Sequence, residues 1–219
     1  MKNSRYYPWL VVVLLWVVAF LNYLDRQILS TMRPSMQTDI PELVSGENFG
    51  RLMAIFLWIY AFISPVAGMV SDKLNRKWLI VGSLFVWSVV TYIMGYTTNY
   101  NQLYWLRAIM GVSEAVYLPA GLSLIADYHQ HKTRSLAIGV HMTGIYIGSA
   151  LGGFGATISA VYSWHTTFHF FGLSGIVYSF VLMFFLYEKK ISETKIVDAN
   201  LKQVSIFKGL GLIFSNISF

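Results

Sequence analysis

The chain has 219 residues, 56% of them hydrophobic and only 12% charged, about half the charged share of a soluble domain. It contains no cysteine, which excludes disulfides and thiolate metal sites, and its formal net charge is +6. The apolar residues come in runs of about 20, each long enough to cross a hydrocarbon core of about 30 Å, so the chain reads as an all-α polytopic membrane protein. Six spans are predicted: Pro8–Thr31, Phe49–Val70, Trp78–Tyr96, Leu103–Ala126, Ser135–Val161 and Thr166–Tyr187. The first is too long for a signal-peptide core and has no small-residue cleavage site after it.

An even number of spans puts both ends of the bundle on one side. That side collects Lys2, Arg5, Lys73, Arg76, Lys77, Lys132, Arg134, Lys189, Lys190, Lys195, Lys202 and Lys208. The opposite loops hold Arg33 and Arg51 beside Asp39, Glu42 and Glu47. The positive-inside rule therefore predicts cytoplasmic termini, and the basic balance is a topology signal rather than a nucleic-acid footprint. Pro34, Pro41 and Gly46 interrupt the longest external loop, while Thr98–Asn101 and Ser163–Trp164 read as tight turns. Trp9, Trp78, Trp105 and Trp164 fall near span ends, as an interfacial belt requires. The bundle is expected to occupy 1–190. Beyond it, 191–219 reads as a linker followed by the start of a seventh span, or by an interfacial amphipathic helix carrying Lys208.

Charge inside the spans is confined to two of them. The fourth carries Arg107 and Glu114, seven residues apart and so nearly on one helical face, about 10 Å apart along the axis. The first carries Asn22, Tyr23, Asp25 and Arg26. An ionised group at membrane depth costs at least about 2.5–3.5 kcal/mol on insertion scales, so such groups normally face a cavity or a partner. A structural ion pair is the bland alternative for Arg107–Glu114; snorkelling to the outer interface is the one for Asp25–Arg26. Spans one and four are equivalent positions in a three-plus-three repeat, where inverted repeats often build a midplane site.

The loop from Gly68 to Lys77, GMVSDKLNRK, is the most specific local signal. Gly68 would permit close helix contact, Asp72 could accept from a helix N-terminus or a base across the bundle, and Lys73, Arg76 and Lys77 mark the basic side. Asn75 tolerates a left-handed turn, and the whole reads as a conformational latch. Gly144, Gly148 and Gly152, at four-residue spacing in the fifth span, make a smooth face for packing. His141 and His169 could be relays or simply satisfied core histidines. Tyr23, Tyr60, Tyr117 and Tyr146 could line a cavity and donate to substrate oxygens.

The Gly68–Lys77 loop resembles the signature between the second and third helices of the major facilitator superfamily, with Asn75 where glycine is usual. NYLDR at Asn22–Arg26, Arg107 with Glu114 and Pro119, and SWHTTF at Ser163–Phe168 resemble its anion:cation symporter branch, with His165 where arginine is commoner. Spinster-type transporters share much of the pattern. The resemblance implies the amino-terminal half of a twelve-helix transporter in a bacterial inner membrane, whose missing carboxy-terminal half would supply the opposing wall. It implies proton-coupled movement of a sugar acid such as a hexuronate, aldonate or sialate. Arg26 and Arg107, with Asn22, Tyr23 and Tyr117, would then meet the anion, and Glu114, or second Asp25, would carry the proton. Gly153 stands where the superfamily's antiporter signature has proline, which leans towards symport. The rival readings are transport of a lysophospholipid-like amphiphile and a non-transporting six-span half. No nucleotide loop, zinc-ligand spacing or hydrolase elbow is readable, so neither an enzyme nor a cofactor is expected.

Overall fold

In the computed structural model, residues 5–129 and 131–189 are described, together with their side chains apart from Asp72 and His131. The expected linker and seventh-span start at 191–219 lie outside the described residues. The helices are α1 (Tyr7–Thr31), α2 (Arg33–Met36), α3 (Gly46–Lys73), α4 (Arg76–Met94), α5 (Tyr100–Tyr128), α6 (Arg134–Gly152), α7 (Gly155–Tyr162) and α8 (Trp164–Phe185). Six of them, α1, α3, α4, α5, α6 and α8, are long and apolar enough to cross a membrane.

Polar caps start several of these helices. The side chains of Asn75, Asn99 and Ser163 accept from the amides of Trp78, Gln102 and Thr166 at 3.2, 3.0 and 3.2 Å. Asn75 thus works as an N-cap with extended backbone (φ −65°, ψ 111°), not in the left-handed turn that its place in the motif suggested. Ser163 is the one non-glycine residue at positive φ among those described (φ 74°, ψ 153°), a conformation held by its capping role between α7 and α8.

The predicted fifth span, drawn to Val161, divides into α6 and α7 at Gly153–Phe154. At the break the Thr31 hydroxyl lies 3.1 Å from the Gly152 carbonyl and 2.9 Å from the Ile28 carbonyl of its own helix, and its one proton is shared between them. A side chain at Gly155 would strike Ile28 and Thr31, so the chain turns where α1 leaves no room to continue straight.

The main helix contacts are α1 with α6, α3 with α5, α4 with α8 and α4 with α5. Exchanging the first three spans for the last three carries the α1–α6 pair onto α5–α3 and leaves α4–α8 in place. That is the pattern of two related three-helix repeats. Glycines set the close approaches in both copies. An added Cβ at Gly144 or Gly148 of α6 would meet the Trp16 or Phe20 carbonyl of α1, and one at Gly111 of α5 would meet the Phe56 carbonyl of α3. At Gly68, by contrast, an added Cβ meets nothing within 4 Å among the described residues, so the close contact expected there is not made within this bundle. Because the obstacle at Gly148 is backbone, Gly148→Leu should cost about 1–3 kcal/mol or more and visibly lower the melting temperature of the purified protein.

Both ends of the bundle are tied by side chains. On the basic face, Tyr7 Oη donates to the Phe185 carbonyl at 2.9 Å and accepts from the Tyr187 amide at 2.8 Å, and Tyr128 Oη donates to the Tyr187 carbonyl at 2.9 Å. On the opposite face, Asp39 accepts from the Trp164 indole at 2.7 Å and lies 3.4 Å from His165 Nε2, while His165 Nδ1 bonds the Gly95 carbonyl at 2.7 Å. His165 therefore joins the loop between α1 and α3, the end of α4 and the start of α8. His165→Ala should raise hydrogen exchange across the 34–44 amides by about three- to tenfold, the range expected for loss of one or two hydrogen bonds.

Candidate functional site

A charged cluster forms where α1, α3 and α5 meet. Glu114 of α5 accepts from Arg26 of α1, Nε to Oε2, at 2.6 Å, with side-chain exposures of 0% and 17%. The pair is therefore interhelical. Arg107 and Glu114, which the sequence places on one face of one helix, are not within ion-pair distance of each other. Two helical turns separate them too far along the axis for a direct contact.

Arg107 is 1% exposed, and among the described residues no carboxylate pairs with it. Its Nη1 lies 3.3 Å from Met110 Sδ, a weak acceptor, and its Nε has no partner. Its guanidinium carbon sits 4.4 Å from the centroid of the Phe56 ring. Arg26 is held over three rings, those of Tyr23, Phe56 and Tyr60, at 4.7, 4.8 and 4.6 Å. Phe56 and Tyr60 are one turn apart on α3 and so present one aromatic face to Arg26, while Phe56 alone also meets Arg107.

Asp25 is buried beside this cluster and accepts from Thr91 of α4 at 3.4 Å. Asn22 is also buried and its side chain faces the Glu114 carboxylate, although neither its Nδ2 nor Glu114 Oε1 makes a hydrogen bond of full geometry. With Arg107 Nε, the cluster thus holds buried polar atoms that are incompletely bonded among the described residues, where most buried polar atoms have a partner. Such atoms are suited to a polar ligand.

Tyr117 is placed differently. It is 1% exposed, and its hydroxyl donates to the Leu15 carbonyl at 2.8 Å, tying α5 to α1. Tyr146 is 72% exposed and lies near Tyr23, at the edge of the cluster. His141 is fully buried with both ring nitrogens unpartnered, against the Tyr117 ring. His169 stacks obliquely on Tyr92 and Tyr96. Phe56 was invisible as a site residue in the sequence, because an apolar ring within an apolar span carries no distinguishing signal.

The Gly68–Lys77 loop is built around Arg76. Its guanidinium pairs with Asp127 at the end of α5, and its amide donates to Glu188 Oε1 at 3.1 Å, which puts an acid on the N-terminus of α4. Lys77 lies over the Trp78 and Tyr187 rings at 5.2 and 5.1 Å, and Lys73 is exposed. The Asp72 side chain lies outside the described ones. Two apolar grooves occur on outer faces, one of about 470 Å³ along α7 and α8 and one of about 510 Å³ between α4 and α5. None of the cluster's charged residues lines either.

Residues 15–219 match the sequence model of the Major Facilitator Superfamily. The chain belongs to that superfamily. It is 27% identical over 183 residues to the 4-hydroxybenzoate transporter PcaK of Pseudomonas aeruginosa, a match covering 83% of this chain and 40% of PcaK. It is 32% identical over 155 residues to the rat protein spinster homolog 1, covering 68% of this chain and 28% of that one. The fold matches the crystal structure of a bacterial homologue of the human lysosomal transporter spinster, in an inward-facing and unoccupied conformation, with a TM-score of 0.75 at 24% identity. That match covers 86% of this chain and 45% of the other. The chain therefore spans less than half the length of these relatives. As a Major Facilitator Superfamily member with six spans, it is an integral membrane protein of a transporter family.

Proposed function

We propose that this superfamily chain forms one half of a secondary active transporter moving a small organic anion together with protons. The observation that supports the reading is Arg107, a buried guanidinium with no carboxylate at ion-pair distance among the described residues, beside a second guanidinium already paired to Glu114. A substrate carboxylate would supply Arg107 with the charged, bidentate partner it lacks. Asn22 and Tyr23 flank the same space from α1.

Proton coupling follows from the shared use of Arg26. An ionised Glu114 holds Arg26; a protonated Glu114 releases it to the substrate. Each ligand thereby favours the other, which is a positive coupling free energy and the requirement for symport. Asp25 is the alternative proton carrier. The Arg76–Asp127–Glu188 cluster would latch the cytoplasmic ends of the helices in one of the transport states. We further place both termini in the cytoplasm of a bacterial inner-membrane protein, with a second six-helix unit closing the site.

Sugar acids and aromatic acids are the two substrate classes to test. The first comes from the sequence resemblance, and the second is supported by the 4-hydroxybenzoate transporter relative and by the rings around Arg26. Amphiphile transport is the second reading, supported by similarity to spinster proteins in sequence and fold. Uptake of glucuronate, gluconate, sialate and 4-hydroxybenzoate into proteoliposomes holding the full-length protein, with and without an inward proton gradient, tests both. Gradient-driven accumulation of an acid supports the symporter; movement of a fluorescent lysophospholipid with no acid uptake would replace it.

A further inference from the structure

The two guanidinia of the cluster share one ring. Phe56 lies 4.8 Å from the Arg26 guanidinium carbon and 4.4 Å from that of Arg107, so the two cations are no farther apart than those distances together. Like charges this near each other in a buried setting repel strongly. Arg26 has Glu114 to offset that repulsion. Arg107 has no carboxylate at ion-pair distance among the described residues; Glu114 and Asp25 act on it only from farther off, and its direct contacts are the Met110 sulfur and the π face of Phe56. The negative face of an aromatic ring attracts a cation within about 6 Å, more strongly when both are desolvated, and Phe56 is 2% exposed.

The ring's backbone is anchored. Gly111, one turn beyond Arg107 on α5, lets the Phe56 carbonyl approach so closely that any side chain there would collide with it. With α3 held against α5 there, what can move at Phe56 is the ring itself, by side-chain rotation.

We propose that Phe56 is a binding-site residue that occupies the substrate carboxylate's place at Arg107 and is displaced when the anion binds. The role rests on the organic-anion reading above. In the empty site the π face offsets part of the Arg107 charge. Every ligand displaces the ring at the same cost, so Phe56 lowers all affinities by one factor. A carboxylate, which gains most at Arg107, still binds, whereas a neutral amide of the same shape falls below useful affinity. Phe56 thus sets the threshold, and Arg107 supplies the preference for anions.

Fluorinated phenylalanines at position 56 of the full-length protein test this, because they keep the ring's shape while draining its π face. The ligands are glucuronate and 4-hydroxybenzoate, each beside its neutral amide. With rising fluorination the apparent Kd for the bound acid should fall stepwise, by about two- to tenfold in all, and that for the amide should fall by the same factor, because both must displace the ring. Phe56→Leu should move the Kd in the same direction. A ring that merely packs would leave the Kd unchanged on fluorination, and a ring that helps hold the anion would raise it; either result overturns the proposal. If the unsubstituted protein binds neither acid, the anion-site reading fails and Phe56's role with it. Normal acid binding that is indifferent to fluorination would remove Phe56's role alone.

Discussion

Glu114→Gln is expected to abolish proton-driven accumulation while leaving anion exchange intact. Glutamine keeps the size of the acid and can still accept from Arg26 through its amide oxygen, but it cannot take up or release a proton. The variant would mimic a permanently protonated Glu114, with Arg26 more loosely held and available to the substrate. One proton moving down one pH unit can drive about tenfold accumulation, since a pH unit and a tenfold ratio are the same free energy. In proteoliposomes that ratio should fall to about one in Glu114→Gln, with counterflow of labelled substrate close to normal. Retained accumulation would show that Glu114 is not the proton carrier. If Asp25→Asn alone lost accumulation in the same assay, the role would pass to Asp25, which is also buried beside the cluster.

Arg107→Met should divide stability from function. Burying an ion without a charged partner costs several kcal/mol even after relaxation, and a flexible apolar side chain of similar length avoids that cost. The variant should therefore melt higher, by roughly 2–8 °C for a gain of about 1–2 kcal/mol. Anion uptake should fall by about 10- to 100-fold, the worth of a charged hydrogen-bonding partner. Arg26→Met should do the reverse to stability. It leaves Glu114, whose side chain is fully buried, as an unpaired carboxylate, and removing one partner of a buried pair costs about 3–5 kcal/mol. Undiminished uptake by Arg107→Met would take Arg107 out of the substrate site. Thermal melts and uptake on the same preparations check both arginines.

These opposite outcomes depend on which acid meets which base, and that was the part least legible in the chain. Arg107 and Glu114 stand out by composition alone, as do Asp25 and Arg26, because charge in an apolar run of about 20 residues is expensive. Within one helix, however, the only ion pair the sequence offers as an alternative to a site is Arg107 with Glu114, whereas in the folded bundle Glu114 takes its partner from α1. Tyr117 illustrates the same limit from the other side. As a tyrosine beside Glu114 it looks like a substrate donor, yet its hydroxyl is spent on the Leu15 carbonyl. At Gly144–Gly148–Gly152 the local pattern went further, since four-residue spacing does define a smooth face, and α1 lies against it. His165 was a departure without a reason in the sequence. Its two nitrogens reach the Gly95 carbonyl and Asp39, which come from two other segments.

By itself, the sequence determined that the chain crosses a membrane, the number and approximate limits of its six spans, the family motif at Gly68–Lys77 and the short roster of buried charges. All of these are local properties: run length, hydropathy and the energetic cost of a charge in lipid. The tertiary structure alone decided the Arg26–Glu114 pairing, the lack of a carboxylate at ion-pair distance from Arg107 among the described residues, the Phe56 ring shared by both cations, and the break between α6 and α7. Each depends on how closely two helices approach. That distance is set by what stands opposite Gly111, Gly148 and Gly155, residues on neighbouring helices that no window along a single chain segment contains.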